Sequence, residues 1–252
     1  MAYVIDTDVG TDVDDLFALT YALKHPNSDV KAITTVIGDT EVRGKIVKKL
    51  EKILGVNVPI IAGESGNKEV VRKYWTGIEE KALTLKERKE PFDPRRFPSY
   101  DSDMNLVCIG PLTNIARQLR NSRTIRRVRD IYVMGSLESS HNFRLDLDAK
   151  EKVFSCDWNI YQITTEVSKK VSFDRRELEG LKGNELGDFL YSSATRWLDY
   201  SKREKCCMYD VLAVSAGLDD GLVKFKNAGG NRFVSYDVNP DLKDRMIRSI
   251  KS

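Results

Sequence analysis

Short apolar runs alternate with amphipathic segments over the first half of the chain, and this alternation constrains the fold more than any other feature. Apolar residues at helical spacing occupy residues 16–23, 42–54 and 113–119. The intervening runs, rich in β-branched residues, are residues 3–5, 30–37, 58–61, 105–109 and 131–134. Strands and helices that alternate in this way form parallel sheets covered on both faces. We therefore predict an α/β fold with a mostly parallel, open, Rossmann-like sheet, whose ligand binds at the carboxyl ends of the strands.

The second half of the chain is predicted to complete the sheet and its helical layers. Residues 177–202 and 208–216 have helical patterns, and residues 233–238 are predicted to form an edge strand before a final amphipathic helix at residues 240–250. Between about residues 64 and 103 the pattern loosens into charged, aromatic and proline-containing sequence. We expect that segment to rise above the sheet as a lid.

Composition limits the organisation of the chain and its partners. The 252 residues are 41% hydrophobic and 31% charged, and no Pro/Gly/Ser-rich linker divides them, so a single domain over residues 1–252 is expected. The net charge of +3 gives no broad field for a nucleic acid, which favours a small-molecule partner. Neither a signal-peptide pattern nor a run of 18 apolar residues is found, so we expect no membrane segment and a cytoplasmic location.

Five aspartates are crowded into ten residues between the first strand and the first helix. The segment reads Asp6-Thr7-Asp8-Val9-Gly10-Thr11-Asp12-Val13-Asp14-Asp15. Carboxylates this close repel one another, and their position after a buried strand is better explained by a hard cation with oxygen ligands than by a solvated loop. Asp14 and Asp15 could instead only cap the helix, whose dipole favours negative charge at its N-terminus.

The acidic loop resembles the opening signature of the inosine-uridine preferring nucleoside hydrolase family, Asp-x-Asp-x-Gly-x-Asp-Asp. Further segments resemble family motifs in the family's order along the chain. They are Ile33-Thr34-Thr35-Val36-Ile37-Gly38-Asp39, Val58-Pro59-Ile60-Ile61-Ala62-Gly63, Leu106 to Ala116 with Gly110-Pro111-Leu112-Thr113-Asn114 at its centre, Val133-Met134-Gly135, Asn142-Phe143-Arg144-Leu145-Asp146 and Tyr209-Asp210-Val211-Leu212-Ala213-Val214. Because the ordered set spans almost the whole chain, the sequence is identified as a short, divergent member of this family with the nucleoside hydrolase fold.

The resemblance implies calcium-dependent hydrolysis of the N-glycosidic bond of a ribonucleoside, giving ribose and free base, in purine or pyrimidine salvage. The implied Ca²⁺ ligands are the carboxylates of Asp8, Asp15 and Asp210 and the main-chain carbonyl of Ile109. Water and the ribose 2′- and 3′-hydroxyls would complete an oxygen-only shell, which suits calcium. Asp8 would also accept a proton from the attacking water, whose pKa the cation lowers.

The resemblance also implies the residues that hold the nucleoside. Asp14 would hydrogen-bond the sugar diol, and Asn142 and Met134 belong to the implied ribose-binding strand and loop. Asp39 stands where many relatives carry asparagine, and His141 adjoins Asn142 and could face the substrate or supply an acid. Residues 64–103 and 177–202 would surround the base, so base preference is not determined. Relatives are often homodimers or homotetramers, and the same is expected here.

The chain departs from the family pattern at three places. The acidic loop is longer by Asp12-Val13, and the segment between Gly135 and Asn142 is short, with Ser140 in place of an expected glutamate. Tyr209 stands where a catalytic histidine is expected, and a phenol with a reference pKa of about 10 is a poor acid at neutral pH.

Three interpretations of Tyr209 stay open. Its hydroxyl could hydrogen-bond the leaving base, the ring could only pack beside Asp210, or the base could be activated by aromatic stacking. Trp75, Trp158 and Trp197 are the candidates for stacking, although a tryptophan in a domain of this size more often packs in the core or in a lid, and Trp75 and Trp197 are the two to test.

Two other functions remain as alternatives. A non-catalytic nucleoside- or calcium-binding relative would keep the metal site and lack the acid. Asp6-Thr7-Asp8 after a first strand is also similar to haloacid-dehalogenase-type phosphatases, but those need Thr or Val where Gly10 stands. The sequence contains no P-loop and no Gly-x-Gly-x-x-Gly motif, so no phosphate cofactor is expected.

Overall fold

The computed structural model describes residues 2–93, 100, 104–122, 124–137, 140–218 and 221–252. The strands in this part of the chain are β1 (Ala2–Thr7), β2 (Asp29–Thr35), β3 (Ile60–Ala62), β4 (Met104–Cys108), β5 (Asp130–Met134), β6 (Asn159–Ile163), β7 (Ser172–Asp174), β8 (Lys205–Cys207), β9 (Val223–Gly229) and β10 (Arg232–Val238). Eight of them form one sheet in the order β3-β2-β1-β4-β5-β6-β10-β9, and β7 and β8 form a small antiparallel pair. All neighbours in the large sheet are parallel except β9 and β10.

Helices connect the strands and cover the sheet. They are α1 (Asp14–Lys24), α2 (Thr40–Leu54), α3 (Lys68–Tyr74), α4 (Leu85–Lys89), α5 (Thr113–Asn121), α6 (His141–Leu145), α7 (Leu147–Phe154), α8 (Thr165–Ser168), α9 (Arg175–Glu179), α10 (Glu185–Ser201), α11 (Tyr209–Leu218) and α12 (Asp241–Lys251). Short 3₁₀ helices lie at Glu79–Ala82 and Thr124–Arg127. Within the described residues, no helix is both long and apolar enough to cross a bilayer.

The core lies on both faces of the sheet because successive strand residues point in opposite directions. Ile5, Ile33 and Val107 pack with α1, α2 and α11 on one face. Val4, Ala32 and Leu106 pack with α5 and α7 on the other. Since β1 is buried along its whole length, the residues that follow it emerge at the centre of the molecule.

The predicted fold class is confirmed, and the five strands predicted in the first half are present. Two expectations for the second half are wrong. Residues 177–202 are not one helix, because Gly183 adopts a left-handed φ of 121° and Asn184 caps a new helix by accepting a hydrogen bond from Gly187 N at 2.7 Å. β10 is not an edge strand, because β9 pairs with its outer side.

The predicted lid, residues 64–103, falls partly outside the described residues, which omit residues 94–99 and 101–103. Its described part contains α3, the first 3₁₀ helix and α4. Lysines of α2 tie this part to the body of the protein, since Lys49 Nζ lies 3.1 Å from Glu87 Oε2 and Lys52 Nζ lies 3.0 Å from Glu90 Oε2.

Candidate active site

A cavity of about 650 Å³ opens at the carboxyl ends of four central strands. Its walls include Asp8 after β1, Ile37 after β2, Ile109 after β4 and Met134 at the end of β5. Side chains from both predicted base-side segments line it as well, namely Val71, Lys73, Tyr74, Trp75 and Thr76 from the first and Trp197 and Tyr200 from the second. The cavity therefore lies where ligands of parallel α/β sheets bind.

Three buried carboxylates converge on the floor of this cavity. Asp14 and Asp15 lie in the first turn of α1, and Asp210 lies in the first turn of α11, which packs against α1. One oxygen from each carboxylate lies within 4.8 Å of the others, and each residue is no more than 4% exposed. Asp210 N donates to Asp14 Oδ2 at 3.4 Å, so the two helix termini face the same point.

The chemistry of this cluster fits a bound cation. Burial raises the pKa of all three carboxyl groups well above the usual 3.8, and repulsion from neighbouring carboxylates raises it further. No lysine or arginine forms an ion pair with them in the described part of the chain. Among the described residues, Thr7 Oγ1 donates to Asp15 Oδ1 at 2.5 Å and Asp210 N donates to Asp14 Oδ2, so most lone pairs of the three carboxylates remain available to a cation. Oxygen-only donors of this kind suit a hard divalent cation.

The structure groups Asp14 with Asp15 and Asp210, whereas the sequence predicted Asp8 as the third carboxylate ligand. Asp8 lines the same cavity, and its negative charge contributes to the raised pKa of Asp15. Gly110 fixes its place, because a Cβ there would lie 3.0 Å from Asp8 N and 3.1 Å from Asp8 Oδ1. Asp8 therefore lies beside the three-carboxylate cluster, where a proton acceptor could act.

Asp6 supports the site from below without lining the cavity. It is buried and accepts hydrogen bonds from Thr34 Oγ1 and, at 2.7 Å, from Asn114 Nδ2. Burial raises the pKa of Asp6 to about 7. Asn114 also donates to Thr35 O at 3.1 Å and accepts from Glu64 N at 2.8 Å. The asparagine of the Gly-Pro-Leu-Thr-Asn motif thus joins three strand ends beneath the acidic loop.

Arg43 is a site residue that the sequence analysis missed. It is 3% exposed, and its guanidinium donates to Ile37 O at 2.7 Å, to Val9 O at 2.7 Å and to Asp8 O. Ile37 has a φ of 60°, which a β-branched residue rarely adopts, so this hydrogen bond helps to hold a strained turn. The guanidinium also lies 5.2 Å from the ring centroid of Trp75. Arg43 therefore fixes the acidic loop and one wall of the cavity together.

Glu79 was missed as well, and it fastens the described lid segment to the acidic loop. It is fully buried, and its carboxylate accepts from Thr11 Oγ1 at 2.7 Å, Thr76 N at 3.2 Å and Thr76 Oγ1 at 3.0 Å. Thr11 Oγ1 in turn accepts from Arg43 Nη2 at 3.4 Å. Because Glu79 is fully buried, its charge depends on this shared network.

The residues predicted to bind ribose are brought together, except one. Asn142 is buried at the start of α6, and its Nδ2 donates to Ile109 O at 2.7 Å and to Met134 O at 3.5 Å. His141 lines the cavity beside them, and its ring meets Tyr74 edge-on at 5.3 Å. Asp39 lies apart: it is exposed, it is not among the lining residues, and its carboxylate caps α2 by accepting from Val42 N at 2.9 Å.

An aromatic wall, formed by Trp197, Tyr200 and Tyr209, lines another part of the cavity. Trp197 and Tyr200 stack with centroids 5.9 Å apart, and Arg203 lies 5.8 Å from the Trp197 ring. Burial and a hydrogen bond with Cys207 raise the pKa of Tyr209 further above its usual value of 10. Trp158, the third candidate for stacking, lies in the core and does not line the cavity.

Solved structures place the chain in the class of proteins with the nucleoside hydrolase fold. A purine-preferring ribonucleoside hydrolase from Gardnerella vaginalis aligns with a TM-score of 0.79 over 99% of this chain and 98% of that chain, at 20% identity. The inosine-uridine preferring nucleoside hydrolase from Bacillus anthracis aligns with a TM-score of 0.73 over 99% of this chain and 98% of that chain, at 19% identity. At such identities the similarity establishes the fold alone.

The chain belongs to the inosine-uridine preferring nucleoside hydrolase family, whose model matches residues 3–245. The pyrimidine-specific ribonucleoside hydrolase RihB of Escherichia coli O9:H4 (strain HS) is 29% identical over 157 residues, which are 56% of this chain and 49% of that protein. The non-specific ribonucleoside hydrolase RihC of Klebsiella pneumoniae subsp. pneumoniae is 25% identical over 236 residues, 84% of this chain and 77% of that protein.

The chain thus spans about half the length of RihB where the two match. The family assignment made from the acidic loop and the ordered motifs is confirmed. The comparisons give no support to a haloacid-dehalogenase-type phosphatase.

Proposed function

We propose that this protein hydrolyses the N-glycosidic bond of a ribonucleoside to ribose and free base. The reaction would use a divalent cation, Ca²⁺, bound at the floor of the cavity. The observation that carries this proposal is the convergence of Asp14, Asp15 and Asp210, within 4.8 Å of one another, at the bottom of a cavity of about 650 Å³. The proposed reaction is the one for which the similar proteins are named. The buried carboxylates provide a candidate cation site for it. Because those relatives include pyrimidine-specific, purine-preferring and non-specific hydrolases, they do not choose the base.

The residues around the floor would divide the work among them. A cation held by Asp15, Asp210, the Ile109 carbonyl and Asp8 or Asp14 would bind the sugar diol and lower the pKa of the attacking water. Asp8 would accept the proton of that water, and burial favours this role because it makes the carboxylate more basic. The carbonyl of Ile109 keeps a lone pair available while it accepts from Asn142.

Orientation of the sugar falls to Asp14 and Asn142. Asp14 offers carboxylate oxygens to the diol beside the cation, and Asn142 is locked by its bonds to two strand-end carbonyls. Such fixed groups hold C1′ of the ribose near Asp8, which raises the rate by removing the search for a reactive geometry. Met134 contributes its carbonyl to this arrangement and Asp39 contributes nothing to it, since it caps α2 outside the cavity.

The aromatic wall would hold the base. Its rings suit a flat heterocycle, and the hydroxyl of Tyr209 could donate to a ring nitrogen as the bond to C1′ breaks. With its pKa raised above 10, Tyr209 would act as a hydrogen-bond donor and not as a proton source at neutral pH. Leaving-group stabilisation would then come from a hydrogen bond and stacking together.

Tyr209→Phe is expected to lower kcat by about tenfold and leave the affinity for Ca²⁺ unchanged, since a net hydrogen bond contributes about 0.5–1.5 kcal/mol. Steady-state kinetics on the best nucleoside measures the change. Tyr200→Phe is the matched control, because Tyr200 lies on the same wall and is exposed. Equal kcat values for Tyr209→Phe and the parent would leave Tyr209 with a packing role beside Asp210.

The proposed function is tested by chromatographic detection of free base from inosine, adenosine, guanosine, uridine and cytidine, with added Ca²⁺ and again with a chelator. Release that the chelator stops supports the proposal and reveals the base preference. The proposal would be overturned if calorimetry shows that Ca²⁺ binds but no free base is released from any nucleoside. That result would favour a nucleoside- or calcium-binding protein that has lost catalysis.

Three broader expectations accompany this function as proposals. They are a role in purine or pyrimidine salvage, a cytoplasmic location, and assembly into a homodimer or homotetramer. Light scattering coupled to size-exclusion chromatography measures the last, and a monomeric mass would contradict it.

A further inference from the structure

The lining of the cavity contains a second kind of wall, which carries basic side chains. We call it the basic wall and define it as Lys73, His141 and Arg144. The Tyr74 ring lies between Lys73 and His141. Lys73 Nζ lies 5.5 Å from the centroid of that ring, and the centroids of the Tyr74 and His141 rings are 5.3 Å apart. Arg144 follows on the same short helix as His141, close enough for its charge to lower the pKa of that imidazole.

The two permanent charges of the basic wall lack carboxylate partners. Among the described residues, neither Lys73 nor Arg144 forms an ion pair within 4.0 Å, and both side chains are exposed at the cavity. Glu166 also lines the cavity but pairs with neither of them. Arg203, by contrast, lies 4.0 Å from Asp12. Lys73 and Arg144 are therefore free to meet an anion from outside.

The balance of charge in the cavity permits such an anion. Six carboxylates line the described cavity, against four lysine or arginine side chains. A divalent cation held by Asp14, Asp15 and Asp210 would bring the lining to electrical balance. An anionic group that reaches the basic wall would then be attracted and not repelled.

The position of Asn142 connects the basic wall to the sugar. Asn142 lies between His141 and Arg144 in sequence and points to the floor, where it donates to Ile109 O at 2.7 Å. A ribose held by its diol at the floor directs both of its other substituents, the base on C1′ and the 5′-carbon on C4′, away from the floor. If the base meets the aromatic wall, the 5′-carbon is left to meet the basic wall.

Ser140 adds an uncharged donor at the same place. Its Oγ accepts hydrogen bonds from Ser136 N at 3.2 Å and Leu137 N at 3.1 Å, so the hydroxyl hydrogen is left to donate. A 5′-hydroxyl group could accept a hydrogen bond from Ser140, but it carries no negative charge to pair with Lys73 or Arg144. A phosphate has several acceptor oxygens and two negative charges, which match a hydroxyl, an ammonium and a guanidinium.

We propose that the basic wall binds a phosphate on the 5′-carbon, so that ribonucleoside 5′-phosphates are substrates of this site. This inference rests on the proposed function. The oxygen of water bonds to C1′, the bond from C1′ to the base nitrogen breaks, and the proton released by water ends on the base. The phosphate ester remains intact, so the products are free base and ribose 5-phosphate.

The test compares kcat/KM for a ribonucleoside, its 5′-monophosphate and its 5′-diphosphate, all with the same base and with Ca²⁺ present. The 5′-monophosphate is expected to exceed the nucleoside by about tenfold or more, as one charge-assisted hydrogen bond allows. Arg144→Ala and Lys73→Ala should each remove most of that advantage and change kcat/KM for the nucleoside by less than about twofold. Arg120→Ala, an exposed arginine on α5 outside the cavity, is the matched control. A 5′-diphosphate that also exceeds the nucleoside, by an advantage that Arg144→Ala reduces, supports the same phosphate site.

Two results would overturn the inference while leaving the proposed function in place. One is a kcat/KM for the 5′-monophosphate equal to or below that of the nucleoside. The other is an advantage for the monophosphate that neither Arg144→Ala nor Lys73→Ala reduces.

If no substrate is hydrolysed, the proposed function fails and binding decides the inference. Calorimetric titration with ribose 5-phosphate and with ribose, in the presence of Ca²⁺, then provides the answer. Tighter binding of ribose 5-phosphate that Arg144→Ala abolishes supports the basic wall as a phosphate site, and equal binding of the two sugars overturns it.

Discussion

Asp8→Asn is expected to lower kcat for release of the base by a factor of about 10² to 10⁴, the range that a positioned general base contributes. Asparagine keeps the size of the side chain and its place against Gly110, and the Asp8 carbonyl still accepts from Arg43. The substitution therefore removes the proton acceptor and leaves the loop in position. Because burial raises the pKa of Asp8, the native carboxylate is a stronger base than an exposed aspartate.

Calorimetry with Ca²⁺, beside the kinetics, separates the two roles assigned to Asp8. A loss of kcat with unchanged cation affinity makes Asp8 a base alone, and a loss of both makes it a ligand as well. Asp39→Asn is the matched control, because asparagine caps a helix as well as aspartate does and Asp39 lies outside the cavity. A kcat for Asp8→Asn within about threefold of the parent would exclude general-base catalysis by this residue.

The local hydrophobic pattern of the sequence was sufficient to predict the strands that position the site. It was insufficient to predict the other strands of the sheet. β1, β4 and β5 contain short apolar runs because both faces of a central parallel strand are buried, and the buried second half of β2 is rich in β-branched residues. β6 was missed because polar residues interrupt it: the buried Gln162 is tolerated there since its amide donates to Ser136 O at 3.3 Å. That contact joins residues distant in sequence, which no local pattern contains.

In the candidate site as well, residues close together in sequence could be predicted, whereas contacts between distant segments could not. The acidic loop is local and predicted a cation site, but Asp210 joins Asp14 and Asp15 only through the packing of α11 against α1, and the family resemblance was needed to find it. Arg43 and Glu79 were missed because their partners are carbonyls and hydroxyls from separate segments. Asp39 carried a readable signal, since an acidic residue just before an amphipathic helix is typical of an N-cap.

Without added cation, the free energy of unfolding is expected to fall as the pH rises from 5 to 8. Burial raises the pKa of Asp12 to about 6, and it raises the pKa of Asp14, Asp15 and Asp210 as well. A carboxyl group whose pKa is higher in the folded state stabilises the fold fully below its unfolded pKa, near 3.9, and loses that contribution as the pH rises through the folded value. Each unit of raised pKa corresponds to about 1.4 kcal/mol.

Other titrating groups do not reverse this trend. Lysine and backbone partners lower the pKa of Glu87, Glu177 and Asp237, but these groups are already largely ionised in both states at pH 5. Burial lowers the pKa of His141, which adds stability as the pH rises, but this is one group against six carboxyl groups with a raised pKa, because burial raises the pKa of Asp6 and Asp8 as well. A net loss of about 2 kcal/mol would lower Tm by roughly 4–8 °C for a chain of this size.

Ca²⁺ is expected to reverse the slope, because it binds the ionised carboxylates of the folded protein and so stabilises most at high pH. At a concentration of 100 times Kd the gain is about 2.7 kcal/mol. Thermal unfolding at pH 5 and pH 8, with chelator and with Ca²⁺, measures both effects. Asp210→Asn removes one buried charge, so this variant should melt at a higher temperature than the parent in chelator at pH 8, and it should lose most of the gain from Ca²⁺. A parent protein whose Tm is the same at both pH values, and is unaffected by Ca²⁺, would show that these carboxylates are held by contacts within the chain and do not form a cation site.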